Sequence, residues 1–415
     1  MIFRFTNIFI LFLALNLLSC ANEKVDYAKA SIYNRLGKLY LEYGSQKDAV
    51  DFFNKTIETK SDFADAYYNL GSIYISMDSV NQALFYLNKT VEIDSNHIDS
   101  YFKLGKIYQN YLDDLEKSVQ SFNEVIQINP NFAEAYNAIG YAYFDKKFYE
   151  KAEEYYAKAL KIKPDYAYGF NNLGEVNLKL GRPQKAIDFF KKAFTLDPNL
   201  IVAYNNLGKV YQSQMKWGEA LIHHQYALSL DTNYYHATFE IANANFGDGN
   251  IKEAKKYYKK TIKLNPKFDM AFTRLGMCYV KTFRIKSKIL EEAVRLHKQA
   301  IKLNPKNFEA YKNLGLTYLK KGDEELALNS FQKAINVKED YAIPYYQIGI
   351  IFKDRRNFHK AIEYLEKSVY YDPDYAPSYE ALGVSYKEIG KSTKAIEYFN
   401  LYQKAANITP GNFKH

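Results

Sequence analysis

The sequence predicts an all-α protein of about eleven helix-turn-helix units, because three features repeat along almost the whole chain. An aliphatic residue followed by glycine recurs ten times, mostly every 34 residues, from Leu36-Gly37 to Leu382-Gly383, and Ile241-Ala242 fills the one gap. A small residue, usually alanine, follows most of these glycines by twelve residues. Six units carry a proline near their end: Pro130, Pro164, Pro198, Pro266, Pro305 and Pro373.

Each unit reads as two amphipathic segments of ~14 residues, a length at which an isolated helix is marginal in water. Such helices must pack against neighbouring units, and a small residue on each lets the two backbones approach closely. Aromatic residues stand four positions before nearly every glycine and usually three after it, where they fill the space between helices. These two positions hold sixteen of the 40 tyrosines, so those tyrosines need no ligand.

This pattern resembles the tetratricopeptide repeat (TPR) family over residues 30–406. The resemblance implies one right-handed superhelical solenoid, in which each repeat contacts its neighbours and the first helices line a concave face. It also implies a non-enzymatic protein that binds other proteins or extended peptides.

The first twenty residues have the pattern of an export signal. Residues 1–19 contain an apolar stretch too short for a comfortable membrane span of ~20 residues. The run Leu17-Leu18-Ser19-Cys20 resembles a bacterial lipobox, which implies cleavage before Cys20 and lipidation of that cysteine. Residues 20–29 would then form a tether of at most ~30 Å, and Ala21 favours the outer membrane, with the chain facing the periplasm. A plain cleaved signal and an uncleaved anchor are the alternatives.

Cysteines and histidines exclude several kinds of site. The two cysteines, Cys20 and Cys278, cannot build a disulfide framework or a cysteine-rich metal centre, and Cys278 is expected to be a free, buried thiol. His224 and His297 fall where the second helix usually buries an aromatic residue, so core packing is expected of both. The sequence contains no phosphate-binding loop or hydrolase motif, and we expect no catalytic residue, metal or cofactor.

Two departures from the repeat pattern carry further information. The eighth repeat has five extra residues between its helices, which predicts a protruding basic loop around residues 281–288. The last repeat ends near residue 406 and leaves a tail at 407–415, so Tyr398, Leu401 and Tyr402 are expected to lie uncovered. That end is either blunted by its own polar residues or covered by a partner, and a second copy of the chain is one candidate.

Binding is expected on the concave face. Inward positions of repeats seven to nine predict an apolar groove for an extended peptide, formed by Phe239, Asn243, Phe246, Met270, Met277, Leu316 and Leu319. Four asparagines two residues before their glycines could hold a peptide backbone through paired donor and acceptor atoms, namely Asn69, Asn172, Asn206 and Asn313. The alternative for both sets is packing between neighbouring helices.

Positive charge is concentrated in one segment. The whole chain carries a net charge of +9, and residues 252–306 hold sixteen Lys and Arg against four Asp and Glu. An anionic partner is a candidate for this segment, and its extra loop contributes the basic patch Lys281, Arg284, Lys286 and Lys288. The alternative is a solvated outer face, and no nucleic acid is expected as the partner of an exported chain.

These features together predict a scaffold that is anchored at the bacterial cell envelope and binds partner proteins or peptide segments in envelope assembly or secretion. Two other functions remain open. The chain could be the regulatory subunit of an envelope enzyme, or it could bind a glycan or an anionic lipid through residues 252–306.

Overall fold

A computed structural model describes residues 23–281 and 287–408 of the 415-residue chain. Within these ranges it contains 22 α-helices and no β-strand. The predicted signal peptide, Cys20 and residues 409–415 of the predicted tail lie outside the described residues. The chain divides into two compact units, residues 1–203 and 204–415. The prediction of an all-α helical repeat protein is confirmed.

The first unit contains five helix pairs. In chain order they are α1 (Glu23–Glu42) and α2 (Gln46–Thr59), α3 (Ala64–Ser76) and α4 (Val80–Ile93), α5 (Ile98–Asn110) and α6 (Leu115–Ile128), α7 (Ala133–Asp145) and α8 (Tyr149–Ile162), and α9 (Ala167–Lys179) and α10 (Pro183–Leu196).

The second unit contains the other six pairs, and the division between the units falls three residues inside its first helix. The pairs are α11 (Ile201–Ser213) and α12 (Trp217–Leu230), α13 (Tyr235–Gly247) and α14 (Ile251–Leu264), α15 (Asp269–Val280) and α16 (Ser287–Leu303), α17 (Phe308–Lys321) and α18 (Glu324–Val337), α19 (Ala342–Asp354) and α20 (Phe358–Tyr371), and α21 (Ala376–Glu388) and α22 (Ser392–Ile408).

Within a pair, the glycine of the first helix lies directly against a large side chain of the second. A Cβ atom added at Gly37 would lie 2.6 Å from the ring of Phe53, and one added at Gly174 would lie 2.5 Å from the ring of Phe190. Cβ atoms do not approach other atoms that closely, so these positions require glycine. The small residue of the second helix, such as Ala49, is fully buried. The predicted close approach of the paired helices is therefore confirmed.

Aromatic rings fill the rest of the space between paired helices. Tyr40 stacks on Phe52 with ring centroids 5.2 Å apart, and Tyr74 stacks on Tyr86 at 5.3 Å. The same two repeat positions stack in Tyr143–Tyr155, Phe352–Tyr364 and Tyr386–Tyr398. Much of the high tyrosine content is thus used in packing. The six predicted prolines all lie in turns between pairs, where they cannot continue a helix.

Pairs stack because each second helix also packs against the first helix of the next pair within its unit. Neighbouring first helices contact one another as well, as α1 does with α3, α7 with α9, and α15 with α17. We call the surface made by six positions of the first helices the first-helix face: six, three and two residues before the glycine, and one, four and five after it. The predicted binding residues all occupy these positions.

The first helix begins earlier than predicted. Helix α1 starts at Glu23, whereas the sequence pattern placed a tether at residues 20–29. Residues 23–29 contain no glycine or proline, and Asp26 in the first turn interacts favourably with the helix dipole. The ring of Tyr27 also lies 5.8 Å from that of Phe63. Residues 23–29 of the predicted tether are therefore helical.

The extra residues of the eighth repeat are partly helical. Helix α16 has 17 residues and begins at Ser287, three positions before the register of most second helices. Residues 282–286 of the predicted loop, including Arg284 and Lys286, lie outside the described residues.

The last helix reaches Ile408 and is better covered than predicted. Tyr398 was expected to be uncovered, but it stacks on Tyr386 with ring centroids 5.4 Å apart. Leu401 and Tyr402 are half-buried, and Ile396 on the same helix is exposed. Across residues 23–281 and 287–408, none of the helices combines the length and the apolar character that a membrane span needs.

Candidate binding surface

Two of the predicted asparagines form amide pairs between neighbouring first helices. The Asn69 side chain donates from Nδ2 to Oδ1 of Asn34 at 3.3 Å, and Asn172 donates in the same way to Asn137 at 2.8 Å. Asn69, Asn137 and Asn172 are half-buried, so parts of these amides remain on the surface. Each pair joins consecutive repeats and fixes the orientation of its amide groups.

The other two predicted asparagines do not continue this row as surface groups. Asn206 is buried, and Asn313 is only 5% exposed. The Nδ2 atom of Asn313 is fully enclosed and has no hydrogen-bond partner among the described residues. The prediction of four equivalent ligand-binding asparagines therefore needs correction, because exposure at this position depends on the neighbouring repeat.

Phe239, predicted to line the apolar groove, is instead buried in the core. Phe239 is 5% exposed and packs against the rings of Tyr258, at 5.7 Å, and Phe268, at 4.9 Å. It belongs to a core cluster of the seventh and eighth repeats. A side chain three residues before the glycine can point into the junction with the next repeat, and Phe239 does so.

Other members of the predicted groove are also engaged within the protein. Asn243 accepts a hydrogen bond of 2.6 Å from the Tyr258 hydroxyl and donates to Glu240 at 3.0 Å. The Lys281 ammonium group lies over the ring of Phe246, 4.6 Å from its centroid. These contacts orient both side chains and leave them part-buried.

The remaining groove residues differ in accessibility. Met270 is 41% exposed, and Met277 is half-buried. Leu316 and Leu319 pack against the core cluster that contains Phe331. The apolar surface available at this place is therefore small and centred on the two methionines.

The basic segment presents its charge outward. Five lysines of α14 and the turn after it are exposed, namely Lys252, Lys256, Lys259, Lys263 and Lys267. Lys288 is exposed near the start of α16. This arrangement fits the solvated outer face that the sequence left open, and it leaves the charge accessible to an anionic surface.

Both predicted core histidines are fully buried against the glycines of their repeats. Burial lowers the pKa of His224 and of His297 to about 3 in each case, so both rings are neutral at pH 7. Cys278 is a free, buried thiol, as predicted, and burial raises its pKa to about 12. In the described part of the chain, no three His, Cys, Asp or Glu side chains come together as metal ligands would.

The first unit contains a polar cleft that the sequence did not predict. The cleft has a volume of about 360 Å³ and is lined by Gln109, Asn110, Tyr111, Asp113, Tyr141 and Asp145. Four of these residues occupy first-helix-face positions of the third and fourth repeats. The signal that could have revealed it is the single extra residue of the third repeat, because Asp113 lies in the turn that this residue lengthens.

Comparison with known proteins agrees with this architecture. Tetratricopeptide repeat models match residues 131–199, and residues 64–97, 235–268, 308–341, 342–375 and 376–409. A TPR repeat model also matches residues 111–147 and 286–322. No curated protein sequence matches the chain.

Solved structures with a similar fold share little sequence with the chain. A human IFIT1 dimer with PPP-AAAA has a TM-score of 0.53 at 14% identity, and the aligned region covers 92% of this chain and 91% of the IFIT1 chain. The APC/C hetero-tetramer Cut9-Hcn1 has a TM-score of 0.53 at 13% identity, with coverages of 90% and 86%. At these identities the likeness concerns the fold alone. The repeat matches extend over more than half of the chain, which is a member of the tetratricopeptide repeat family, with the architecture of a protein-interaction scaffold.

Proposed function

We propose that this protein is a lipid-anchored scaffold of the bacterial cell envelope that binds extended segments of partner proteins along its first-helix face. The observation that carries this proposal is that the half-buried amides of Asn69 and Asn172 are held by hydrogen bonds to an asparagine of the preceding first helix, Asn34 and Asn137 respectively. A side-chain amide offers both a donor and an acceptor, as a peptide backbone does. Amides held in a fixed orientation can bind such a backbone without selecting one sequence.

The location in the envelope rests on the sequence before the first helix. The apolar segment that ends at Cys20 supports export and lipidation, and several acyl chains together hold a protein durably on a membrane. Because helix is already present at Glu23, three residues after Cys20, the repeats would stay close to that membrane. Ala21 supports the outer membrane, with the repeats in the periplasm.

A role in envelope assembly or secretion follows only by analogy with other anchored repeat proteins. In this proposal the chain performs no catalysis and needs no cofactor. Its contribution is to hold partner segments near the membrane.

Substitution of the amide row tests the binding surface. The variant Asn69→Ala/Asn172→Ala removes both donors, and Asn81→Ala, on the exposed outer side of α4, is the matched control. Partner proteins recovered with the purified protein from membranes should fall severalfold in the double variant and remain unchanged in the control. Equal recovery from all three proteins would contradict the proposal. Recovery of a single catalytic protein at one-to-one stoichiometry would favour the regulatory-subunit alternative.

Metabolic labelling with a fatty-acid analogue tests the anchor. The wild-type chain should acquire the label and fractionate with membranes, whereas Cys20→Ala should do neither. Label retained by Cys20→Ala would show that lipidation does not occur at this cysteine.

The exposed lysines of residues 252–306 favour a second candidate function, the binding of an anionic lipid or glycan. Charge reversal to Glu at the basic patch, Lys281, Arg284, Lys286 and Lys288, should abolish binding to phosphatidylglycerol vesicles. The control is the same reversal at four exposed lysines of α9 and α10, Lys179, Lys185, Lys191 and Lys192. Unchanged vesicle binding after reversal of the patch would remove this candidate.

A further inference from the structure

The cleft in the first unit has the chemistry of a site for a cationic side chain. Its walls come from the end of α5 and the turn after it, with Tyr111 and Asp113, and from α7, with Tyr141 and Asp145. The two tyrosine rings are 46% and 45% exposed. Two carboxylates beside two accessible aromatic rings offer a cation both ionic hydrogen bonds and ring faces. We call this site the Tyr111–Tyr141 cleft.

Asp145 has no evident structural use. It is the last residue of α7, where a negative charge interacts unfavourably with the helix dipole. Its side chain is exposed and forms no ion pair with any residue of the described ranges. A carboxylate that folding does not need, at the mouth of a cleft, is available for a ligand.

Asp113 is held in place by the protein. It lies in the turn between α5 and α6 with a left-handed φ of +56°, a conformation that few non-glycine residues adopt. Its carboxylate accepts a hydrogen bond from the Lys146 ammonium group, which neutralises part of its charge. Asp145 is therefore the main source of negative charge in the cleft, and Asp113 adds to it.

Gln109 adds a requirement for an acceptor on the ligand. Its Oε1 atom accepts from the Lys106 ammonium group at 3.5 Å, and its Nε2 atom, enclosed in this conformation, has no partner in the part of the chain that the structure describes. The side chain lines the cleft, and rotation of its amide brings Nε2 to a ligand there. A buried donor without a partner costs free energy unless a ligand or water satisfies it. A metal ion or a simple amine cannot do so, but a peptide residue offers a carbonyl oxygen together with its side chain.

Lys106 limits how a cation can approach. Its ammonium group lies 5.9 Å from the centroid of the Tyr141 ring and 5.8 Å from those of Phe102 and Phe122. The ammonium group thus lies among three rings and occupies part of the Tyr141 ring surface, and burial lowers the pKa of Lys106. A ligand cation must therefore use the exposed part of Tyr141 and the Asp145 carboxylate.

The surrounding sequence favours a positive ligand although the chain as a whole is basic. Residues 61–150 contain thirteen Asp and Glu against six Lys and Arg, a net charge of −7. The cleft lies within this segment, so the local field attracts cations. The planar guanidinium group of arginine can bond to a carboxylate and stack on a tyrosine at once, which an ammonium group cannot do equally well.

We propose that the Tyr111–Tyr141 cleft binds an arginine of a partner segment, with the guanidinium group against Asp145 and Tyr141 and a backbone carbonyl oxygen on Gln109. The inference rests on the proposed function in that its ligand is a peptide segment. It adds a preference for basic partners in the first unit.

The test uses the full mature chain and three capped peptides that differ at one residue, which is arginine, lysine or citrulline. Citrulline keeps the shape of arginine without its charge. Isothermal titration should show the arginine peptide binding at least about tenfold more tightly than the citrulline peptide, and more tightly than the lysine peptide. Asp145→Asn should lose that preference. The matched control Asp78→Asn removes the same charge from the exposed turn between α3 and α4 and should keep it.

Three results would overturn the inference. Equal affinity for the arginine and citrulline peptides would remove the cation site while leaving peptide binding intact. A second such result is that none of the peptides binds, while the Asn69→Ala/Asn172→Ala variant still loses its membrane partners. The cleft would then not be a peptide site, but the proposed function would remain supported. Spermidine or Mg²⁺ binding as tightly as the arginine peptide, with the same dependence on Asp145, would identify a simple cation as the ligand.

Discussion

The sixth and eighth repeats bury the same residue at the same position with opposite consequences. His224 lies against Gly208 and His297 against Gly276, and both rings are fully buried. His224 donates from Nδ1 to Asn205 at 2.8 Å and accepts at Nε2 from Gln212 at 3.0 Å. Neither ring nitrogen of His297 has a partner among the described residues. Burial of a polar ring is therefore stabilising or costly according to its neighbours alone.

The difference follows from two substitutions on the first helix. Where the sixth repeat has Asn205 and Gln212, the eighth has Thr273 and Val280, and these cannot reach the ring with an amide. Thr273 also occupies the position at which Asn34 and Asn137 accept a hydrogen bond from the asparagine of the next repeat.

Thr273 thus accounts for two unsatisfied atoms, Nδ1 of His297 and the enclosed Nδ2 of Asn313. A buried polar group without a partner costs ~1–3 kcal/mol. The junction of the eighth and ninth repeats should accordingly be less stable than that of the sixth and seventh.

The largest expected change in stability comes from replacing the glycine that contacts each histidine ring by alanine. In Gly208→Ala the new Cβ would lie 2.5 Å from the His224 ring, and in Gly276→Ala the same distance from the His297 ring. Gly208→Ala should cost about 3 kcal/mol, because the displaced ring also loses its hydrogen bonds, and Gly276→Ala about 1–2 kcal/mol. Urea unfolding followed by circular dichroism measures both.

Gly218→Ala is the control for the alanine itself, because nothing lies within 4 Å of the added atom. It should leave stability unchanged or raise it by up to ~1 kcal/mol. Equal losses in Gly208→Ala and Gly276→Ala would contradict the claim that only one ring is bonded.

Replacement of each histidine by phenylalanine, the residue at this position in Phe53, Phe190 and Phe331, should give effects of opposite sign. His224→Phe leaves the Asn205 amide oxygen without its donor and removes one of the two hydrogen bonds of Gln212, which keeps its bond to the Glu240 carbonyl oxygen, so it should destabilise the protein by ~1–3 kcal/mol. His297→Phe removes an unsatisfied ring and should stabilise it by a similar or smaller amount. Thermal unfolding of the two variants decides this, and a loss of stability in His297→Phe would show that the ring has a partner.

Acid should expose the cost of charging these rings. Both folded pKa values are near 3, below the ~6.5 of an unfolded chain. Between these values the unfolded state binds more protons, so stability falls as the pH drops from about 6.5 toward 3, by on the order of 1.4 kcal/mol per pH unit for each histidine. His297→Phe should reduce this slope. Identical slopes in wild type and His297→Phe would refute the burial of a neutral ring.

The smallest expected effect is a repair of the defect. Thr273→Asn introduces, at nearly constant volume, the acceptor that the sixth repeat has. It should raise stability by about 1 kcal/mol by satisfying Asn313 and one nitrogen of His297. Amide hydrogen exchange in α15 and α17 should slow in this variant, and faster exchange would mean that the new side chain does not fit.

Most of the fold could be predicted from sequence, because each repeat position has one dominant role. The spacing of Gly37 and Phe53 recurs through the chain. The repeat pattern therefore predicted the close contacts of the glycines, the burial of the two histidines and the location of the prolines in turns. The start of α1 did not, since residues before the first repeat have no counterpart in the pattern.

The candidate site was less predictable. Positions on the first-helix face are exposed or buried according to the neighbouring repeat, which one repeat's sequence does not contain. Asn172 is a surface amide, whereas Asn313, at the same position, is enclosed. The Tyr111–Tyr141 cleft depends on the left-handed turn at Asp113, which spacing alone marks only as one extra residue.

The most direct test of the account asks which face of the repeats meets a partner in living cells. Benzoylphenylalanine is placed either at Tyr141, on the first-helix face, or at Phe85, on the second helix α4; the native side chains are 45% and 55% exposed. After irradiation, we expect specific crosslinked proteins from position 141 and none from position 85. Crosslinking of the same proteins from position 85, with position 141 silent, would contradict it.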